Sequence, residues 1–246
     1  MGTGLKVAIL SDIHGNADAL RAALTDAERS GAERLFVLGD LVGYYYGVED
    51  VLKQLRAWPA TIIRGNHEAL LVSVLADRDA ASSYRRKYGS SLDRAIQSLP
   101  ASDMAALMSL PESAEFEVDE LNFELFHGSP LDPDEYVYPD ADRTRLTQIT
   151  RAGSVVLLGH THYPMIVSSS AGTIINPGSI GQARDSAGFA SWCLFDVERR
   201  IAQFKRTPYD VRPLLRQIKE FDPDLPYLAN VLTRRNPMLS LDRQVN

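Results

Sequence analysis

The chain opens on an alternation of short apolar runs and amphipathic stretches. LKVAIL (5–10) ends at Ser11-Asp12 and has the pattern of a buried strand. In the next stretch Ala17, Leu20, Ala23, Leu24 and Ala27 recur at helical spacing, and Gly31 stops the run. RLFVLGD (34–40) repeats the strand signal, VEDVLKQLRAW (48–58) the helix signal, and ATIIRGN (60–66) gives a third strand. Strand-helix-strand-helix-strand predicts an α/β fold with a parallel sheet built from right-handed crossovers.

The pattern then changes. Residues 69–110 carry helical segments around YRRKYGSSLDRAIQSL and SDMAALMSL, expected to form a cap-like helical insertion beside the sheet. EFEVDELNFELFHG (115–128) alternates apolar and polar residues, with a hairpin turn at Asp119-Glu120. A helix near 142–151 leads to a strand at 154–159. Two further hairpins follow, at 165–176, turning at Ala171-Gly172, and at 189–207. The second half is therefore expected to be mostly antiparallel. A C-terminal extension (208–246) holds a helix near 210–221, a second near 225–234, and a polar tail. There is no internal repeat and no evident linker, so 1–246 reads as a single domain.

Bulk properties narrow the function. The chain has 246 residues, 45% apolar, enough for a sizeable core. No charge-free stretch is long enough to span a membrane, and the N-terminal apolar run is too short for a signal peptide. The lone Cys193 sits in an apolar run and reads as a core side chain. A soluble cytoplasmic protein is expected. The net charge of −6 lacks the basic surplus of a binder of long nucleic acid. A phosphate substrate would need a local source of positive charge.

The candidate chemistry collects at strand ends. Asp12 and His14 (SDIHGN) follow strand one, Asp40 (LGDLVG) ends strand two, and Asn66 and His67 (RGNHE) end strand three. His127 (FHGSP) ends a later strand, and His160 with His162 (GHTH) ends the next. In open α/β sheets ligands bind outside the carboxyl ends of the strands. Each residue alone has an ordinary reading, as a helix cap, turn residue or hydrogen-bonded histidine. The set does not, because all five histidines of the chain and two aspartates fall at matching ends. Imidazoles with carboxylates suit manganese, iron, zinc, nickel or cobalt, whereas an all-oxygen set would suit magnesium or calcium. Two ions about 4 Å apart need a bridging ligand. Asp40, with two carboxylate oxygens, is the acidic residue of its motif. Alternate residues of an extended segment point the same way, so His160 and His162 are expected to face the site together, one per metal.

These motifs, in this order, resemble those of the calcineurin-like metallophosphoesterase family. Its pattern stands here as Asp12-Ile13-His14, Gly39-Asp40, Gly65-Asn66-His67-Glu68, His127 and Gly159-His160-Thr161-His162. The resemblance spans residues 5 to about 205. It implies a four-layer α-β-β-α sandwich of two mixed sheets with two divalent transition-metal ions, manganese foremost, at one edge. One ion would take Asp12, His14, Asp40 and His162, and the other Asp40, Asn66, His127 and His160. A metal-bridging hydroxide would attack phosphorus, and His67, as imidazolium, would serve the leaving oxygen as general acid. The protein-phosphatase branch has GDxVDRG where this chain has GDLVGYYYG, with Gly43 and Tyr44 in place of an Asp that supports the histidine and an Arg that contacts phosphate. The chain looks more like the small bacterial phosphoesterases, whose later segment resembles NPGSIGQAR (176–184). Tyr44 and Arg184 are candidate substrate contacts, and Tyr44-Tyr45-Tyr46 a candidate nucleobase platform. The expected activity is a phosphodiesterase or phosphatase acting on a small, nucleotide-like phosphate ester. The alternatives are a nuclease with the same chemistry and a non-catalytic metal-binding scaffold. Oligomeric state is left open.

Overall fold

A computed structural model describes residues 4–169 and 172–234. The first half folds as its hydrophobic pattern dictates. Strands β1 (Lys6–Leu10), β2 (Arg34–Val37) and β3 (Ala60–Ile62) pair in parallel, joined by helices α1 (Ala17–Arg29) and α2 (Val48–Leu55). Asn16 caps α1 by accepting the Ala19 amide at 3.2 Å. The helical segment comprises α3 (Asn66–Ala76), α4 (Arg78–Tyr88), α5 (Ser91–Ser98) and α6 (Ala101–Met108). There follow β4 (Ser113–Val118), β5 (Leu121–Phe126), α7 (Arg143–Ile149), β6 (Ser154–Leu157), β7 (Pro164–Ser169), β8 (Gly172–Pro177), β9 (Phe189–Asp196) and β10 (Ile201–Pro208), and then α8 (Arg212–Phe221) and α9 (Tyr227–Thr233).

Two five-stranded sheets result, ordered β10-β9-β1-β2-β3 and β4-β5-β6-β8-β7. The three predicted hairpins are antiparallel. The β4–β5 turn has Asp119 and Glu120 both left-handed, as a tight two-residue hairpin requires. Ala171, expected in the turn of the second hairpin, and the C-terminal polar tail lie outside the described residues. The second half is mostly antiparallel, as its hairpins predict, with β5, β6 and β8 running parallel at the centre of its sheet. Those pairings are set by chain crossings that no local pattern records.

Val7, Ile9, Phe36, Leu38, Cys193 and Phe195 of the first sheet meet Phe123, Leu125, Val155, Leu157 and Ile175 of the second. The opposite face of the first sheet packs on α1 and α2 in one apolar layer with Leu71, Tyr84, Leu92 and Leu107 of the helical segment. The outer face of the second packs on Leu146 and Ile149 of α7. This is the four-layer α-β-β-α sandwich. Strands buried on both faces explain the continuous apolar runs, each large side chain adding about 1.5–3 kcal/mol. Cys193 sits between the sheets as a free thiol, and burial pushes its pKa up to about 12. The carboxyl ends of β1, β2, β3, β5 and β6 open at one edge of the sandwich, and the site lies there.

Candidate metal centre

Most candidate side chains hang on turns that follow strands. Within these turns Asp12, His14, Asp40, Tyr44, His160 and His162 all adopt left-handed backbone, φ 52° to 67°. Such conformations cost of order 1 kcal/mol or more each and persist only where surrounding structure enforces them. The enforcement is visible. The Ile180 amide donates to the Ser11 carbonyl, and the Gly181 amide and Ser179 hydroxyl donate to the Asp12 carbonyl. Asn176 donates to the Gly159 carbonyl and to Thr161 Oγ1, at 2.6 and 3.1 Å. The NPGSIG segment thus clamps the Asp12 and His160–His162 loops. Gly159 is the close approach between them, since a Cβ there would strike Ser11 Oγ.

His160 and His162 do face the site together, but not through an extended segment: both are left-handed, and the loop curls around Thr161. His67 does not end a strand either. With Asn66 it forms the first turn of α3.

The donor atoms form two clusters. In the first, His14 Nε2 lies 3.1 Å from His162 Nε2, and Asp12 Oδ1 is 3.3 Å from His162 Nε2 and 3.9 Å from His14 Nε2. In the second, His127 Nε2 lies 3.1 Å from His160 Nδ1 and 3.0 Å from Asn66 Oδ1. Asp40 Oδ2 stands between them, 3.7 Å from His14 Nε2 and 3.4 Å from His127 Nε2. Its Oδ1 is occupied by the His67 amide at 2.8 Å. One oxygen, Oδ2, therefore faces both clusters.

Five of these spacings match a shared cation, and the two from His14 Nε2 to Asp12 and Asp40 are wider. Ligands about 2.1 Å from an ion stand about 3.0–3.4 Å apart in octahedral or tetrahedral arrangement. The Nδ1–H groups of His14, His127 and His162 donate to the carbonyls of Val42, Leu38 and Gln182, at 3.1, 2.6 and 2.9 Å. That fixes Nδ1 as the donor and turns Nε2 inward, where it could meet an ion. In neutral rings His14 Nε2 and His162 Nε2, 3.1 Å apart, cannot hydrogen-bond each other, but a cation between them would satisfy both. Asp12 Oδ1 and His160 Nε2 are buried without a hydrogen-bond partner among the described residues.

The electrostatics are those of a dense buried cluster. Burial opposes ionisation of Asp12 and Asp40, yet neighbouring histidines, His162 for Asp12 and His127 for Asp40, hold both carboxyls well below their usual range. Burial pushes His14 and His160 down. Burial also disfavours charge on His127, but the Asp40 and Asp12 carboxylates outweigh it and push it up to about 10. Burial pushes His67 down to about 4. In the absence of metal this favours the uncharged ring.

Two residues went unassigned in the sequence. Buried Glu68 accepts the amides of Asp40, Leu41, Val42 and Gly65 at 2.7–3.1 Å, shaping the Asp40 loop. Burial, with the Asp40 charge, still pushes its carboxyl up to about 7. The motif's acidic fourth position was the available signal. Tyr136 lies against His160 with ring centroids 3.8 Å apart, half-exposed at the mouth, with Tyr138 roughly parallel to it at 5.9 Å. Nothing local in the sequence marks it.

Tyr44 packs edge-on to His14 at 4.6 Å and beside His67 at 4.9 Å. Burial raises its hydroxyl pKa while the Arg184 guanidinium opposes the rise, which sets Arg184 near Tyr44. Arg184 forms no ion pair among the described residues. The tyrosine platform needs correction. Tyr45 is fully buried and donates to the Leu228 carbonyl, and Tyr46 donates to Asp222. Both tether the C-terminal helices and are unavailable to a base.

Residues 5–200 match the calcineurin-like phosphoesterase superfamily domain. The chain belongs to this superfamily. As a calcineurin-like phosphoesterase it is a phosphoric ester hydrolase. It is 28% identical, over 86% of its length and 91% of the relative's, to an uncharacterised protein of Methanocaldococcus jannaschii. It superposes on a metallophosphoesterase from Sphaerobacter thermophilus with TM-score 0.74 and 26% identity, covering 94% and 98% of the two chains. A hypothetical protein from Pyrococcus horikoshii OT3 shares the fold with TM-score 0.76 at 24% identity, again over 94% and 98%.

Proposed function

We propose that this phosphoesterase hydrolyses small phosphate esters at a pair of divalent transition-metal ions. Asp12, His14, His162 and Asp40 would hold one ion, and Asp40, Asn66, His127 and His160 the other. The observation that carries this reading is the position of Asp40 Oδ2 between two donor clusters whose spacings fit ions. The mixed nitrogen and oxygen donors favour manganese or a neighbour over magnesium. Bound there, such ions would lower the pKa of a shared water and neutralise phosphate oxygens.

The protein's own residues supply orientation and the leaving-group contact. Arg184, unpaired beside Tyr44, is the local cation that an acidic protein needs for a phosphate ester. His67, uncharged, donates a hydrogen bond toward the leaving oxygen, a role a neutral imidazole performs where burial depresses its pKa. Tyr136 gives a half-exposed aromatic face beside the site, which supports an ester bearing a nucleobase or other flat ring. The clamped loops and surrounding tyrosines keep bulk water from the buried donors.

The test uses protein stripped with chelator and refilled with Mn²⁺, assayed on an aryl phosphodiester and the matching monoester. Turnover of at least one ester is expected only with metal, and His67→Ala should lower kcat by about 10²–10⁴ with metal content unchanged. Full turnover without metal, or in the variant, would overturn the reading.

A further inference from the structure

The loop beside His67 packs Tyr44 against its ring but offers Nδ1 no side-chain hydrogen bond. Gly43, left-handed at φ 95°, is pressed against the ring so closely that a Cβ would strike Nδ1. The side-chain partner of that nitrogen is instead the hydroxyl of Tyr84, 3.2 Å away and delivered by α4. Tyr84 is 5% exposed, and its ring lies edge-on to His67 at 5.9 Å.

The direction of this hydrogen bond follows from the other neighbours of the phenol. Burial keeps the phenol protonated, and its oxygen can accept while its hydrogen is donated. Ser91 Oγ, 3.5 Å away, is a hydroxyl able to donate as well. With Ser91 donating, the phenolic hydrogen is available to Nδ1. The geometry points to Tyr84 as the positioning residue of His67: by donating to Nδ1 it fixes the ring hydrogen on Nε2, the nitrogen free to meet the leaving oxygen. The inference rests on the role proposed above for His67. It makes the helical segment part of the catalytic apparatus, not only a wall of the site.

The discriminating change is Tyr84→Phe, which keeps the buried ring and removes only the hydroxyl. Tyr84→Phe, His67→Ala and the double variant are compared in the full Mn²⁺-loaded protein. The substrates are a 4-nitrophenyl ester and an alkyl ester of the same phosphoryl class. For the alkyl ester, whose leaving oxygen needs the most help, Tyr84→Phe should lower kcat roughly tenfold. The fall should be smaller for the 4-nitrophenyl ester, with KM and Mn²⁺ content unchanged, and absent in the His67→Ala background. Nitrogen-15 spectra of the metal-free protein should show the His67 hydrogen on Nε2 in the parent and a mixture of tautomers in Tyr84→Phe. Equal loss on both esters, additive losses in the double variant, or a parent with hydrogen on Nδ1 would overturn the inference. An active parent with His67→Ala impaired and Tyr84→Phe unaffected sinks the Tyr84 role alone. A fully active His67→Ala variant sinks the proposed role of His67, and the Tyr84 role with it.

Discussion

At the scale of single residues, the site is a set of donors held at ligand spacing by backbone bonds. His127 shows how the held cluster behaves without metal. Its Nδ1–H is committed to Leu38, and the facing Asp40 and Asp12 carboxylates push its pKa up to about 10 despite burial. A metal must therefore displace a proton from Nε2. Because the folded pKa lies above neutrality, that proton is present throughout the neutral range and its displacement becomes easier as pH rises. Apparent Mn²⁺ affinity should increase about tenfold per pH unit between roughly pH 6 and 9, with one proton released per chain. Calorimetry in buffers of differing ionisation enthalpy measures that proton. A pH-independent affinity would mean that His127 is already deprotonated. The residue types at the site were legible in the sequence, since every histidine falls within it. The left-handed backbone at six of these positions was not, because nothing in the residues Asp and His announces φ near +60°.

Among secondary-structure elements, the strands were legible because they are buried on both faces and so leave unbroken apolar runs. The start of α3 was hidden. Gly65 and Asn66 read as turn residues, and Ala69, Leu70, Leu71, Val72, Val74 and Leu75 give no polar face to reveal a helical period. The positioning segment after β8 was legible as a motif but not as a mechanism. Asn176 is buried and bonded to Gly159, Thr161 and the Gly178 amide, and among the described residues it hydrogen-bonds to no metal candidate side chain. Asn176→Ala should lower Mn²⁺ affinity by about 10–100-fold, as loss of an outer supporting contact typically does, while leaving the circular dichroism spectrum intact. Unchanged metal titration would show that the GHTH loop holds its shape without the clamp.

Across the whole molecule, the C-terminal helices are tied to the site from behind. Leu214, Ile218, Leu228 and Leu232 cover Tyr44 and Tyr45. Buried Asp222 accepts bonds from the Ser90 amide and hydroxyl, at 3.0 and 2.9 Å, and from Tyr46 at 2.7 Å. That one carboxylate joins α8, the α4–α5 turn and the loop after β2. Asp222→Ala leaves three donors without their acceptor and should cost about 1–3 kcal/mol each where they stay dry. A fall of several degrees in Tm, read by calorimetry, is expected. An unchanged Tm would mean that water replaces the carboxylate. None of this long-range tethering was visible in the sequence, where Asp222 stands in an unremarkable FDPD run.

The single shared oxygen of Asp40 has a further consequence on the proposed reading. An ion seated in one cluster draws electron density from that oxygen and adds a positive charge beside the other. The second ion therefore meets a poorer ligand and a repulsive neighbour, and the two positions fill in sequence. A half-loaded form would accumulate over an interval of metal supply, folded but idle. Activity would then follow occupancy of the weaker position and rise in proportion to free metal across that interval, so the protein would work only where manganese exceeds what fills the tighter position.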